Sequence, residues 1–143
     1  MTTKEYLNQI SRLNRMINNK LSELAELKEL TVSISSVRTG ERVQTSPNYD
    51  SISSAIAKID EKEREIDLLI DKFVDLKAEI KNQIDKVPKE RYRFILDQKY
   101  IHLKTIREIS DMLCITDRGC KKAHKIALEE FEKMYYTIYC DIY

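Results

Sequence analysis

Tryptophan is absent from these 143 residues, and glycine and proline occur only twice each. Strands need turn residues between them, so a chain this poor in helix breakers argues against a β-rich fold. Cysteine is scarce and odd in number: Cys114, Cys120 and Cys140 crowd the last third, which argues against a disulfide framework. No stretch approaches the roughly 18 consecutive apolar residues of a membrane span. Residues 1–19 mix charged and polar groups and lack the apolar core of a secretory signal, so the chain is read as cytoplasmic with no membrane partner. Phosphate-binding loops, glycine-flanked nucleophile elbows and Glu-x-x-His metal motifs are also missing. The expectation is a protein that is not an enzyme and has no cofactor and no metal.

Charge is what the chain has in abundance. Asp, Glu, Lys and Arg make up 34% of it, a level suited to long solvent-facing helices, and an all-α class follows. The net charge of +1 conceals an uneven distribution. Residues 88–128 carry 10 basic and 5 acidic side chains, whereas residues 1–87 carry 14 and 15 and residues 129–143 carry 1 and 4. A basic block coinciding with one structural segment is the electrostatic footprint expected of a polyanion-binding surface.

The first 87 residues predict an antiparallel helical hairpin of coiled-coil type. Tyr6, Ile10, Leu13, Ile17, Leu24 and Leu27 recur in alternating steps of three and four, with Lys20 interrupting the seam. Residues 31–50 hold serines, Gly40, Pro47 and Asn48 without a sustained period and read as a loop. A second helix follows over residues 51–86, with a seam at Ile52, Ile56, Ile59, Ile66, Ile70, Phe73, Ile80 and Ile84. Such a helix needs a partner for its apolar face. Setting Lys20 against Glu63 places Ile17 opposite Ile66, Ile10 opposite Phe73 and Tyr6 at Lys77. The wide apolar face further predicts that two hairpins associate, giving a homodimer.

Residues 88–143 read as a separate C-terminal domain. Pro88 suits the first position of a new helix over residues 89–100. Thr105 and Glu108 form a capping box for a short helix bearing Ile106, Ile109 and Leu113. After Cys114 and Ile115, Thr116 caps another helix that carries Cys120, Ala123, Ile126 and Ala127. Two short helices across a three- or four-residue turn, with small residues at Ser110 and Cys120, make a helix-turn-helix. On its outer face fall Thr116, Asp117, Arg118, Lys121, Lys122 and Lys125. Arg118 and Lys121 are the candidates for base edges, since bidentate Arg to guanine is the commonest specific contact. Lys122, Lys125, Lys104, Arg107 and Arg93 are the candidates for phosphates.

The segment from Tyr92 to Phe131 resembles the C-terminal DNA-reading domain of bacterial sigma factors. The matching residues are Tyr100, Thr105, Glu108 with Ile109, the turn Leu113-Cys114-Ile115-Thr116, and Ala127-Leu128. The whole chain is similar to small phage and prophage proteins of Gram-positive bacteria grouped with ArpU-like and RinA-like late transcription regulators. That resemblance implies transcriptional control through double-stranded DNA, with RNA polymerase as a further partner, and supplies no catalytic residue. Two departures stand out. Cys114 occupies the usual turn glycine, where a positive φ strains other residues, and Gly119 lies within the recognition helix at a cost of about 1 kcal/mol.

Competing readings are a DNA-packaging adaptor similar to a terminase small subunit and a coiled-coil protein-interaction module that binds no DNA. A zinc site built from Cys114, Cys120, His102 and His124 lacks close CxxC pairing. The tail from Phe131 to Tyr143 is rich in tyrosine and is expected to continue the last helix and pack against the protein, with a subunit or polymerase contact as the sharper alternative.

Overall fold

The computed structural model describes residues 2–38 and 47–140, all of whose regular elements are helical. In chain order they are α1 (Thr3–Leu7), α2 (Gln9–Arg38), α3 (Pro47–Asp85), α4 (Glu90–Leu96) continued by a π-helical turn (Asp97–Ile101), α5 (Ile106–Leu113) and α6 (Asp117–Cys140). The all-α expectation holds. No helix among the described residues is long and apolar enough to cross a membrane. The expected loop over 31–50 is shorter than the sequence suggests, because α2 runs on through Arg38 and α3 begins at Pro47. Serine is only mildly unfavourable in a helix, and Pro47 at the first position forfeits no hydrogen bond. Residues 39–46 lie outside the described part.

Contacts divide the chain into two units, residues 13–72 and residues 1–12 with 73–143. The division expected at Pro88 is displaced because the end of α3 shares its core with the C-terminal helices.

In residues 13–72, Ile17, Leu24 and Ile66 are buried. Three ion pairs join α2 to α3: Lys20 to Glu65 at 2.9 Å, Lys28 to Glu63 at 3.3 Å, and Lys62 to Glu23. As the α2 number rises from 20 to 23 its partner falls from 65 to 62, so the helices run in opposite senses. The expected pairing of Lys20 with Glu63 is corrected by two residues. One seam charge match suggested it, whereas the observed register satisfies Lys20 and Glu23 together and leaves Glu63 to Lys28. Each partner charge favours the ionised form of the other: hydrogen bonding to Glu65 raises the Lys20 pKa, and Lys20 and Lys62 lower those of Glu65 and Glu23.

In the other unit, Leu7, Ile10, Ile80, Ile84, Val87, Leu96, Tyr100, Ile101, Ala127 and Phe131 form one buried cluster. Completely burying an aliphatic side chain of this size stabilises by about 2 kcal/mol. Thr2 caps α1 with a capping box: its hydroxyl accepts from the Glu5 amide at 3.2 Å while its own amide donates to Glu5 Oε2 at 2.7 Å. Tyr6 lies over Phe131 and Tyr135 and donates its hydroxyl to Gln83 Oε1 at 2.8 Å. The meeting of Tyr6 with Lys77 is thereby corrected. Lys77 instead places its ammonium 5.6 Å from the ring centroid of Phe73, one turn away on its own helix.

A second cluster gathers Ile95, Ile109, Cys120 and Ala123, flanked by Tyr92, Ile106, Leu113 and Ile115. The single helix expected over residues 89–100 changes character at Asp97, where the widened π turn accommodates one extra residue and lets the adjacent Tyr100 and Ile101 both enter the first cluster. Leu103, at φ 56°, turns the chain toward α5.

Candidate nucleic-acid interface

The turn between α5 and α6 is fixed by several short-range devices. Thr105 and Glu108 form the expected capping box at the start of α5, at 3.2 and 3.3 Å. The helix ends at Cys114, whose φ of 55° and ψ of 42° are left-handed. The Ile115 amide donates to Ser110 O at 3.0 Å and the Cys114 amide to Asp111 O at 3.3 Å, the two bonds of a Schellman motif. Ile115 then packs against the cluster holding Ile109, which closes the turn with an apolar contact. Thr116 caps α6 by accepting from the Gly119 amide at 3.1 Å. Gly119 sits in the first turn under this cap: a Cβ there would stand 3.2 Å from Thr116 Oγ1. Its place is therefore at the cap rather than in the helix interior.

Ser110 and Asp117 tie the two helices together. Ser110 is 1% exposed, and its hydroxyl lies 2.6 Å from Asp117 Oδ1 and 2.7 Å from Arg107 O. Asp117 also stands in the first turn of α6, where a negative charge complements the helix dipole.

The sequence-selected side chains divide accordingly. Arg118, Lys121, Lys122 and Lys125 project from α6 and are exposed, as are Arg107 on α5 and Lys104 just before it. None of these six has a carboxylate at ion-pair distance among the described residues. Thr116 and Asp117 are exposed too, but the oxygen of one caps the helix and the carboxylate of the other holds Ser110. Arg93 stands apart from the exposed group, half-buried on α4 with its Nε buried and without a hydrogen-bond partner. Sequence reasoning missed exposed Arg91 on α4, whose charge reaches Cys120 near the start of α6. Its i, i+4 spacing to buried Ile95 was the available signal.

The two residues of the rejected zinc set that lie in the core are otherwise engaged. Cys120 is buried, and burial pushes its thiol pKa up. His124 Nε2 is hydrogen-bonded to the Tyr100 hydroxyl. In the tail, Phe131 is buried and Tyr135 packs beside it, while the expected packing of Tyr136, Ile138, Tyr139, Ile142 and Tyr143 falls outside the described side chains.

The arrangement is a turn held by short-range hydrogen bonds that presents a cationic helix start. Comparison of the chain with protein-family models, with curated proteins and with solved structures finds no match.

Proposed function

We propose that this chain is a DNA-binding transcription regulator in which α5 and α6 act as a helix-turn-helix. The first turns of α6 enter the major groove, where Arg118 and Lys121 meet base edges. Lys122, Lys125, Lys104 and Arg107 contact phosphates and fix the register. Arg91, on the neighbouring α4, adds a further positive charge to the same surface. The observation that carries the reading is the group of six exposed cations around the α5–α6 turn with no carboxylate partner among the described residues. Cations left free of internal partners are available to replace the counterions of a duplex. The Schellman turn and the Ser110 to Asp117 contact support it further, because a reading helix must be held at a fixed angle.

The resemblance to sigma-like phage and prophage regulators extends the proposal to promoter DNA in the cytoplasm and to RNA polymerase as a partner. A homodimer is part of the same reading, supported by the exposed Met16, Leu21, Leu30, Ile56 and Ile70 in residues 13–72. Sedimentation would report a mass of twice the chain's 16.9 kDa.

The test is selection of bound sequences from a random duplex pool, then titration of the winners over a range of salt. Each well-made base contact is worth about 1 to 3 kcal/mol, so Arg118→Ala/Lys121→Ala should lose at least about tenfold in affinity for the selected duplex. Equal, salt-insensitive binding by both proteins would overturn the proposal.

A further inference from the structure

Three ion pairs sort the surface of residues 13–72 into two flanks. Five residues carry a helix round by about 140°, so Glu23 and Lys28 stand on opposite sides of the α2 seam, and Glu63 and Glu65, two residues apart, differ by about 160° on α3. Lys20 with Glu65 and Lys62 with Glu23 therefore bridge the helices on one flank. Lys28 with Glu63, at 3.3 Å, bridges them on the other.

This second flank is apolar on both helices. Seven residues return a helix to nearly the same face. Leu21 lies seven before Lys28 and Ile70 seven after Glu63, and because α2 and α3 run in opposite senses the two steps lead to one level. Leu21 and Ile70 thus repeat the placement of Lys28 and Glu63 with apolar side chains, and they are 44% and 38% exposed. Val32, four residues beyond Lys28, and Ile56, seven before Glu63, continue the flank in the other direction and are exposed too. The first flank differs. Met16 and Leu30, the exposed apolar residues beside it, both come from α2, and two ion pairs lie between them. Leu68, two residues from buried Ile66, faces away from the seam.

A surface with one lysine and one glutamate at its middle and aliphatic side chains to either side is complementary to itself. In an isologous pair each patch meets its own copy, and the direction of the two-fold axis decides which charges face one another. An axis parallel to the helices sets α2 of one chain over α3 of the other, so that Lys28 meets the partner's Glu63 and Leu21 meets the partner's Ile70. An axis crossing the helices at the pair would set α2 over α2 and bring like charges together. We propose that residues 13–72 dimerise through the flank of Leu21, Val32, Ile56 and Ile70, about a two-fold axis parallel to α2 and α3, with Lys28 and Glu63 of both chains forming an alternating quartet. The proposal rests on the homodimer of the reading above and assigns its face and orientation. The aliphatic residues supply the affinity, and the quartet selects this orientation over the crossed one.

The experiment is sedimentation equilibrium of the full chain over a concentration series, with thermal melting as the check of the fold. Wild type should associate to twice 16.9 kDa. Leu21→Gln removes two aliphatic anchors from each dimer and should raise the dissociation constant at least about tenfold, whereas Met16→Gln on the other flank should leave it unchanged. Lys28→Glu gathers four carboxylates and Glu63→Lys four ammonium groups, so each variant should be monomeric alone and an equimolar mixture of the two should dimerise again. The pair within each chain is broken in the mixture as it is in the separate variants, so the recovery reports contacts between chains. A dimer abolished by Met16→Gln and not by Leu21→Gln, charge variants that stay dimeric alone, or a mixture that stays monomeric overturns the assigned face and leaves the homodimer standing. Wild type at 16.9 kDa at every concentration overturns the homodimer and this face with it, and leaves the flank to a different occupant.

Discussion

The Tyr100 hydroxyl and His124 Nε2 lie 2.7 Å apart in the interior beneath α6, and His124 is held neutral there, its pKa pushed down to about 4 by burial and by Lys99 and Lys4. The unfolded chain binds this proton near pH 6.5. Stability is therefore complete above about 6.5 and declines as the pH falls toward 4. The full loss is about 3 kcal/mol at most. Urea unfolding between pH 7 and 5 should show the decline before most carboxylates titrate, and His124→Gln should flatten it. A ring titration of His124 centred near 6.5 would contradict the assignment.

Ser110 is predicted to matter for binding as well as for folding. Removing its hydroxyl leaves Asp117 without its partner and should cost about 1 kcal/mol in urea unfolding. Because the lost contact joins α5 to α6, Ser110→Ala should also weaken duplex binding at a temperature where the variant remains folded. Unchanged affinity would show that the contact does not position α6.

Cys114 carries a left-handed backbone that glycine adopts freely. Cys114→Gly should therefore stabilise the protein by about 0.5 to 1 kcal/mol, the strain relieved being partly offset by the greater freedom of glycine in the unfolded chain. Cys114→Val should destabilise it, because branching at Cβ worsens the same clash. Midpoints of chemical denaturation rank the three proteins, and a Val variant as stable as wild type would refute the strain.

The α2–α3 register predicts a specific rescue. Lys20→Glu places like charges opposite Glu65 and should lower the midpoint of urea unfolding slightly, since solvent screens both groups. Glu65→Lys in the same chain should restore it, and Glu63→Lys should not. Rescue by position 63 would support the register suggested by the seam alone.

These particulars show where sequence is informative. The α5–α6 turn was legible because its determinants are local: Thr105 with Glu108, Ile115 after Cys114, and Thr116 as a cap each act within a few residues. The three- and four-residue period likewise marked α2 and α3. The pairing of Lys20 was not legible, since Glu63 and Glu65 both lie within reach of one lysine and the pairs actually made, Lys20 with Glu65, Lys62 with Glu23 and Lys28 with Glu63, decide between them. The π turn at Asp97 has no local sequence signal, because its cause is tertiary, the burial of Tyr100 and Ile101 together. Helical position puts Thr116 and Asp117 on the outer face, and position alone does not reveal that their oxygens already have partners.

The most direct test of the central claim is amide chemical-shift mapping during titration with a selected duplex. The account predicts the largest changes at residues 116–126, with smaller ones at Lys104, Arg107 and Arg91. Changes confined to residues 13–72, with the α6 amides unmoved at saturation, would contradict it.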